Sequence, residues 1–220
     1  MKNIQIAIDG GAASGKTTAA KGLSRRLGIP VLTSGIIYRA IAFWMIENKI
    51  DFDDEKGLAL ALIKIDLQII ITRDDMRVII DGYDVTSKLN DNLISKSASI
   101  VSKLGTVRNY VNGRIGELVS QSSFIVEGRD IGTVVLPHAD YKFFLTASDE
   151  VKAKRRQAEL LARGETVSFN EIFEQVRGRD KADKEREIDP LKKAQDAIEI
   201  DTTKWTAEKV IERMAEYIEL

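Results

Sequence analysis

The chain has 220 residues, 44% hydrophobic and 30% charged, enough for a sizeable core and about one and a half typical domains. Lysine and arginine number 33 against 34 acids, so the net charge of −1 gives no compositional support for a nucleic-acid or anionic-membrane partner. With no cysteine and a single histidine, His138, the sequence excludes disulfides, thiolate metal sites, cysteine nucleophiles and His-rich metal clusters.

Residues 4–8 form a short β-branched run that ends at Asp9-Gly10 and predicts a first strand. The run meets Asp9 too soon to read as a secretory signal, so a cytoplasmic location is expected. Gly10-Gly11-Ala12-Ala13-Ser14-Gly15-Lys16-Thr17 then matches G-x-x-x-x-G-K-[ST] without a gap. Ala20, Leu23 and Leu27 follow at helical spacing, and Gly28 and Pro30 stop that helix. A glycine-rich turn between a strand and a helix is the setting this pattern requires. Glycines let backbone N–H groups approach a polyphosphate, and the helix N-terminus adds unpaired donors and positive potential. Lys16 supplies a mobile charge for the β and γ phosphates, and Thr17 a hydroxyl for Mg²⁺. The expected ATP contacts are these eight residues and Thr18. The loop alone leaves open whether the nucleotide is hydrolysed to drive a switch or its phosphoryl group is passed to an acceptor.

Val31-Leu32 reads as a second strand, and Gly35 opens a helix in which Arg39 is the lone charge among apolar residues. Such a helix is buried, and an arginine in it needs an anionic partner or a route to solvent. It is either a clamp for an acceptor phosphate or a carboxylate-paired or snorkelling side chain. The run near residues 40–46 is the longest apolar one, far below the ~20 residues of a membrane span. A helix is expected near 54–64, then strands at 67–72 and 76–81 joined through Arg73-Asp74-Asp75, and a third around 83–85 after Asp81-Gly82. Strands this close pair antiparallel, so the segment is an insertion rather than part of a parallel sheet; with a helix near 91–104 it would form a mobile subdomain.

Arg108 falls in the first turn of the next helix, where its charge opposes the dipole and hints at an anionic compensator. Strand 124–126 leads into Glu127-Gly128-Arg129-Asp130, at the carboxyl edge where open α/β sheets bind ligands. Here Glu127 would steady the Mg²⁺ shell through water and Arg129 would hold a phosphate oxygen, unless the turn is simply salt-bridged. Strands at 141–145 and 197–200 flank a charge-dense stretch, 149–186, that reads as two helices around Gly164. Its Arg155, Arg156, Arg163, Arg177, Arg179 and Arg186 suit either a closing lid or a solvated helical hairpin. Strands alternating with helices indicate an α/β fold, a mainly parallel sheet covered on both faces.

Glu127-Gly128-Arg129-Asp130-Ile131-Gly132-Thr133-Val134-Val135-Leu136-Pro137, Ser34-Gly35-Ile36-Ile37-Tyr38-Arg39, Phe143-Phe144-Leu145-Thr146-Ala147-Ser148, Pro190-Leu191 and Asp201-Thr202-Thr203 resemble segments of the bacterial cytidylate kinases, nucleoside monophosphate kinases, along essentially the whole chain. The resemblance implies a P-loop five-stranded parallel sheet with helices on both faces, a small antiparallel β insertion and a helical lid. It divides the chain into core 1–45, acceptor-binding insertion 46–104, core 105–150, lid 151–187 and core 188–220. It implies transfer of the γ-phosphoryl group of ATP to CMP or dCMP with Mg²⁺, by a monomer with no nucleic-acid or membrane partner. The acceptor phosphate would be held by Ser34, Arg39, Arg129 and Arg186, and the cytosine edge read by Ser99, Arg108 and Asp130. Arg179 and Asp183 would contact the sugar, Arg155 the ATP side, and Thr17 with Glu127 (through water) the metal. Lys16, Arg39, Arg129 and Arg186 form the implied catalytic set. A regulatory P-loop module without transfer activity and a kinase for another monophosphate are the alternatives. Departures from the family pattern are Gly11 where relatives usually carry proline, Thr17 where they carry glycine, Ala182 where some have arginine, and Thr33 where aspartate is usual. The last is expected to weaken catalytic rate or metal affinity, because threonine carries no charge.

Overall fold

A computed structural model describes residues 3–72 and 75–219. In chain order the core begins with β1 (Gln5–Gly10), α1 (Lys16–Leu27), β2 (Val31–Thr33) and α2 (Ser34–Glu47). The insertion contributes α3 (Glu55–Lys64), β3 (Leu67–Ile71), β4 (Met76–Ile80), β5 (Tyr83–Asp84) and α4 (Asn92–Val101). The core resumes with α5 (Gly105–Val119), β6 (Phe124–Gly128) and β7 (Tyr141–Thr146). The segment expected to form a lid is α6 (Asp149–Leu161) and α7 (Phe169–Glu185), and β8 (Ile198–Asp201) and α8 (Ala207–Ala215) close the fold.

The main sheet is parallel, in the order β2-β6-β1-β7-β8. Its central strands are apolar without alternation because helices cover both faces: Ile6, Ala7, Ile8, Ile125 and Val126 are all 0% exposed. On one face Ile37, Ile41 and Met45 of α2 meet Val111 and Ile115 of α5, and on the other Leu23 of α1 meets Val210 and Met214 of α8. Gly28 ends α1 at φ 73, returning its N–H to the Ser24 carbonyl at 2.8 Å, the glycine stop expected there.

Strands β3, β4 and β5 form the expected antiparallel sheet. Of the expected turn between its first two strands, Arg73 and Asp74 lie outside the described residues. Leu67, Val78 and Ile80 pack into the cluster beneath α2, so the insertion is continuous with the main core. The lid pair has a small core of its own, Ala153, Leu160, Ile172 and Val176, and α7 starts from a capping box between Ser168 and Glu171. Two elements were not anticipated: a 3₁₀ turn over Thr86–Asn90 and one π-helical turn over Ile131–Val135, immediately after Asp130. Strand β6 also runs two residues beyond the expected 124–126, which places Glu127 and Gly128 inside the sheet. Among the described residues no helix is long and apolar enough to cross a membrane.

Candidate active site

The loop between β1 and α1 has the geometry its glycines imply. Gly10 has φ 152, and a Cβ there would lie 2.2 Å from the Leu145 carbonyl oxygen; Gly15, at φ 95, caps α1. Lys16 is 5% exposed and its Nζ donates to the Gly11 carbonyl at 2.6 Å, curled over the loop. Burial lowers its pKa to about 7, helped by the nearby Arg129 guanidinium and opposed by Glu127, Asp9 and Asp180. Thr17 donates its hydroxyl to Glu127 Oε1 at 3.0 Å, so the two residues singled out for a metal converge at the carboxyl end of β6. Hydroxyl and carboxylate oxygens are hard donors of the kind Mg²⁺ takes, and these two lie 3.0 Å apart at the start of α1. Among the described residues no group of three or more His, Asp or Glu forms a closed cage. Thr18 lies exposed on the first turn of α1.

A lid carboxylate unanticipated from the sequence reaches the same loop. Asp180 of α7, 5% exposed, accepts the Ala12 N–H at 2.7 Å and pairs with the buried Lys152 of α6 at 2.5 Å. A Cβ on residue 11 would lie 2.4 Å from Asp180 Oδ2, so Gly11 leaves the space that Asp180 fills.

The second half of the site lies beside β6. Arg39 projects from α2, half-buried, and forms no ion pair with a described residue, so it is not the carboxylate-paired form an apolar helix allowed. Burial lowers its pKa, and the like charges of Arg156 and Arg163 on the lid add to the effect. Arg129 pairs with Asp183 at 2.8 Å, joining the turn after β6 to α7. Arg108, 1% exposed, is the compensated first-turn arginine: its Nε donates to Asp189 at 2.6 Å, Nη1 to the Ser102 carbonyl at 3.1 Å and Nη2 to Asp130. The Tyr38 ring lies 5.9 Å from its guanidinium. Arg186 lies 3.0 Å from the other Asp130 oxygen, yet its buried Nη2 finds no well-directed hydrogen-bond acceptor among the described residues. Burial raises the Asp130 pKa, and Arg108 and Arg186 oppose the rise. Ser34, 6% exposed at the start of α2, donates to the Glu127 carbonyl at 3.0 Å, and a Cβ on Gly128 would meet its hydroxyl at 2.5 Å.

Beneath both halves is a group that sequence reasoning missed. Asp9 is 4% exposed, and its two oxygens accept the Ile131 and Gly132 N–H groups at 2.8 and 2.7 Å. The strand that launches the phosphate loop is thereby tied to the turn that presents Arg129 and Asp130. The only sign in the sequence was an acid at the end of an apolar strand.

Other expected residues are placed less directly. Ser99 is half-buried on α4, one turn before Ser102, and its hydroxyl bonds neither Arg108 nor Asp130. Arg155 turns to the loop after β1, giving hydrogen bonds to Thr202 at 2.9 and 2.8 Å, whereas the charge of Arg156 is felt by Arg39 and Arg179. Arg179 is exposed along α7, with the like charges of Arg129, Arg39 and Arg156 facing it. Thr33 precedes α2 without capping it, and His138 is exposed in the turn after the π-helical segment. Asn48-Lys49-Ile50-Asp51 spells the guanine-reading tetrapeptide N-K-x-D, but it closes α2, 14 residues or roughly 20 Å from the cleft end of that helix. It therefore cannot meet a base held at the loop.

The cytidylate kinase family model matches residues 6–220. The chain is 40% identical to a cytidylate kinase of Bacillus subtilis over 218 residues, covering 99% of this chain and 97% of that one. It is 43% identical to a cytidylate kinase of Thermosipho melanesiensis over 214 residues, covering 97% and 96%. Among solved structures, an uncharacterized protein from Eubacterium ventriosum matches with a TM-score of 0.54 at 15% identity over 98% of both chains, a likeness of fold alone.

Proposed function

The chain belongs to the cytidylate kinase family, and we infer that it passes the γ-phosphoryl group of ATP to CMP or dCMP, giving CDP or dCDP, in the cleft between the phosphate loop and the lid. Its activity is that of a nucleoside monophosphate kinase acting on CMP. The observation that carries the assignment of roles is the state of two arginines: Arg39 has no ion pair with a described residue, and the buried Arg186 Nη2 has no well-directed acceptor. A buried guanidinium donor left so, as at Arg186, is costly unless a ligand oxygen satisfies it, and the half-buried Arg39 keeps its charge free for such an oxygen.

The acceptor needs no general base, because a phosphate oxygen of CMP is already a nucleophile. Catalysis is then positioning and charge neutralisation. The loop from Gly10 through Thr17, with Thr18, cradles the donor phosphates, and Lys16 exchanges the Gly11 carbonyl for phosphate oxygen. Arg39, Arg186 and Ser34 hold the acceptor phosphate; Arg129 joins them by trading Asp183 for phosphate, which frees Asp183 and Arg179 for the sugar hydroxyls. Asp130 accepts from the exocyclic amine of cytosine while Arg108 donates to the ring edge, with Ser99 at the rim. Uracil presents a carbonyl to Asp130 and is repelled, leaving polar groups unpaired. Arg155 serves the donor side. Thr17 and Glu127, through water, would hold Mg²⁺, which supplies charge neutralisation between the donor phosphates. The lid helices exclude water that would otherwise take the phosphoryl group. A cytoplasmic monomer completes this reading.

Coupled measurement of ADP release with ATP and each nucleoside monophosphate tests it. Turnover is expected with CMP and dCMP, with UMP, AMP and GMP about a hundredfold or more slower. ADP release that no monophosphate stimulates, or a preference for a purine acceptor, would overturn it.

A further inference from the structure

Arg108 is held by two acids rather than one. A guanidinium facing a single carboxylate tends to close a two-bond fork on it, which, on an acid that Arg186 also touches, would leave one free acceptor position instead of two. Here Nε goes to Asp189 at 2.6 Å and Nη2 to Asp130, so the fork is split between two carboxylates. Asp189 also receives Arg186: its backbone carbonyl accepts the Arg186 Nε–H at 2.5 Å. Both arginines that touch Asp130 are thus anchored from behind by the same residue. Asp130 meets one arginine at each oxygen, Arg108 at Oδ2 and Arg186 at Oδ1, and each oxygen keeps lone-pair capacity for a further donor.

The backbone at this point argues against an incidental contact. Asp189 has φ 49, the left-handed region that a non-glycine residue enters at a cost, and it precedes Pro190, which disfavours helical conformations in the preceding residue. Such strain persists where the surroundings over-determine it, typically at functional sites. The surroundings do so: Leu191 donates its N–H to the Asp183 carbonyl at 2.8 Å, pinning the loop to the end of α7. The side chains are enclosed as well, at 1% exposure for Arg108, 6% for Arg186, 7% for Asp130 and 24% for Asp189. Charge balances across the four groups; without Asp189, two guanidinium groups would converge on one carboxylate.

We propose that Asp189 is a positioning residue for base selection, which keeps Arg108 from closing its fork on Asp130 and so leaves Asp130 open to the amine of the acceptor base. The proposal rests on the assignment of Arg108 and Asp130 to that base. Removing the Asp189 carboxylate releases Nε, lets Arg108 rotate into a two-bond pair with Asp130 and blunts discrimination between an amine and a carbonyl at that edge of the ring.

The test uses the full chain carrying Asp189→Gly, Asp189→Asn or Asp130→Ala, with kcat and KM measured for CMP, UMP and ATP. Glycine is the residue the φ of position 189 favours, so this variant removes the carboxylate without adding strain. The expected result for Asp189→Gly is a fall of about tenfold or more in the CMP-to-UMP ratio of kcat/KM. The loss should appear in KM for CMP, with KM for ATP unchanged within about twofold. Asp189→Asn, which keeps an oxygen for Nε, should recover part of the ratio. A ratio unchanged in Asp189→Gly while Asp130→Ala lowers it would overturn the role of Asp189 alone. A ratio unchanged in Asp130→Ala as well would remove the base-reading assignment and the proposal with it. An equal rise of KM for CMP and ATP in Asp189→Gly, with the ratio kept, would reduce Asp189 to a purely structural part and also overturn it.

Discussion

Asp9→Asn separates the two things the buried acid does. In the folded protein burial raises the Asp9 pKa from 3.8 to about 6, with Asp130 adding to the rise while the Gly132 and Ile131 N–H groups and Lys16 oppose it. A carboxyl with a raised folded pKa stabilises the fold below its unfolded value and loses that contribution as pH climbs through the folded value. The window is therefore pH 4 to 6, and the size, for a rise of this extent, is about 3 kcal/mol. Asparagine does not titrate, so the variant should lack this fall in stability. At pH 7 it escapes the cost of a buried charge but keeps only one oxygen for two N–H groups, leaving one unsatisfied at about 1–3 kcal/mol. The two effects nearly cancel near neutrality, and the proteins should differ there by no more than about 2 kcal/mol. Urea unfolding of both proteins at half-unit steps from pH 4 to 7 reads this directly, because every acid that does not interact with Asp9 is shared and drops out of the difference. The variant should gain on the parent by about 3 kcal/mol across the window, while its KM for CMP rises as the Ile131–Gly132 turn shifts Arg129 and Asp130. Parallel stability curves would refute the reasoning.

Arg129→Ala should lower kcat/KM for CMP by about a hundredfold or more with the fold intact by circular dichroism; a near-normal rate would remove this guanidinium from the acceptor clamp. Gly11→Ala drives a Cβ into the Asp180 carboxylate, breaks its bond to Ala12 and should cost about 1–3 kcal/mol in urea unfolding, whereas an unchanged midpoint would mean that the lid does not depend on that contact. Lys16, with a pKa of about 7 in this structure, loses its charge as pH rises, so ATP binding above pH 7 should take up a proton as phosphate restores the ammonium. Calorimetry at pH 8 in buffers of different ionisation enthalpy would reveal that uptake, and equal heats in all of them would count against it.

The core strands and most helices were legible because their signals are local. Residues 4–8, Val31-Leu32 and residues 141–145 are short apolar runs bounded by turn formers, and each became a strand within two residues. The antiparallel insertion followed from chain length alone, since its turns are too short for a crossover. The π-helical turn over Ile131–Val135 was not legible: it is held by Asp9, 122 and 123 residues away along the chain. Asp180, Lys152 and Asp189 were missed for the same reason, as each looked like one more charge in a solvated stretch.

What the sequence by itself determined is chemistry carried by contiguous residues: the phosphate loop from Gly10 to Thr17, the segment from Glu127 to Asp130, and the alternation that makes the fold α/β. Side-chain partnership was decided by tertiary structure alone. Arg39 escapes pairing while Arg129 meets Asp183, and Arg108 is divided between Asp130 and Asp189. Sequence separation does not show which charged side chains meet, but in a low-dielectric cleft a few ångströms decide which arginine is bound by the protein and which is left for phosphate.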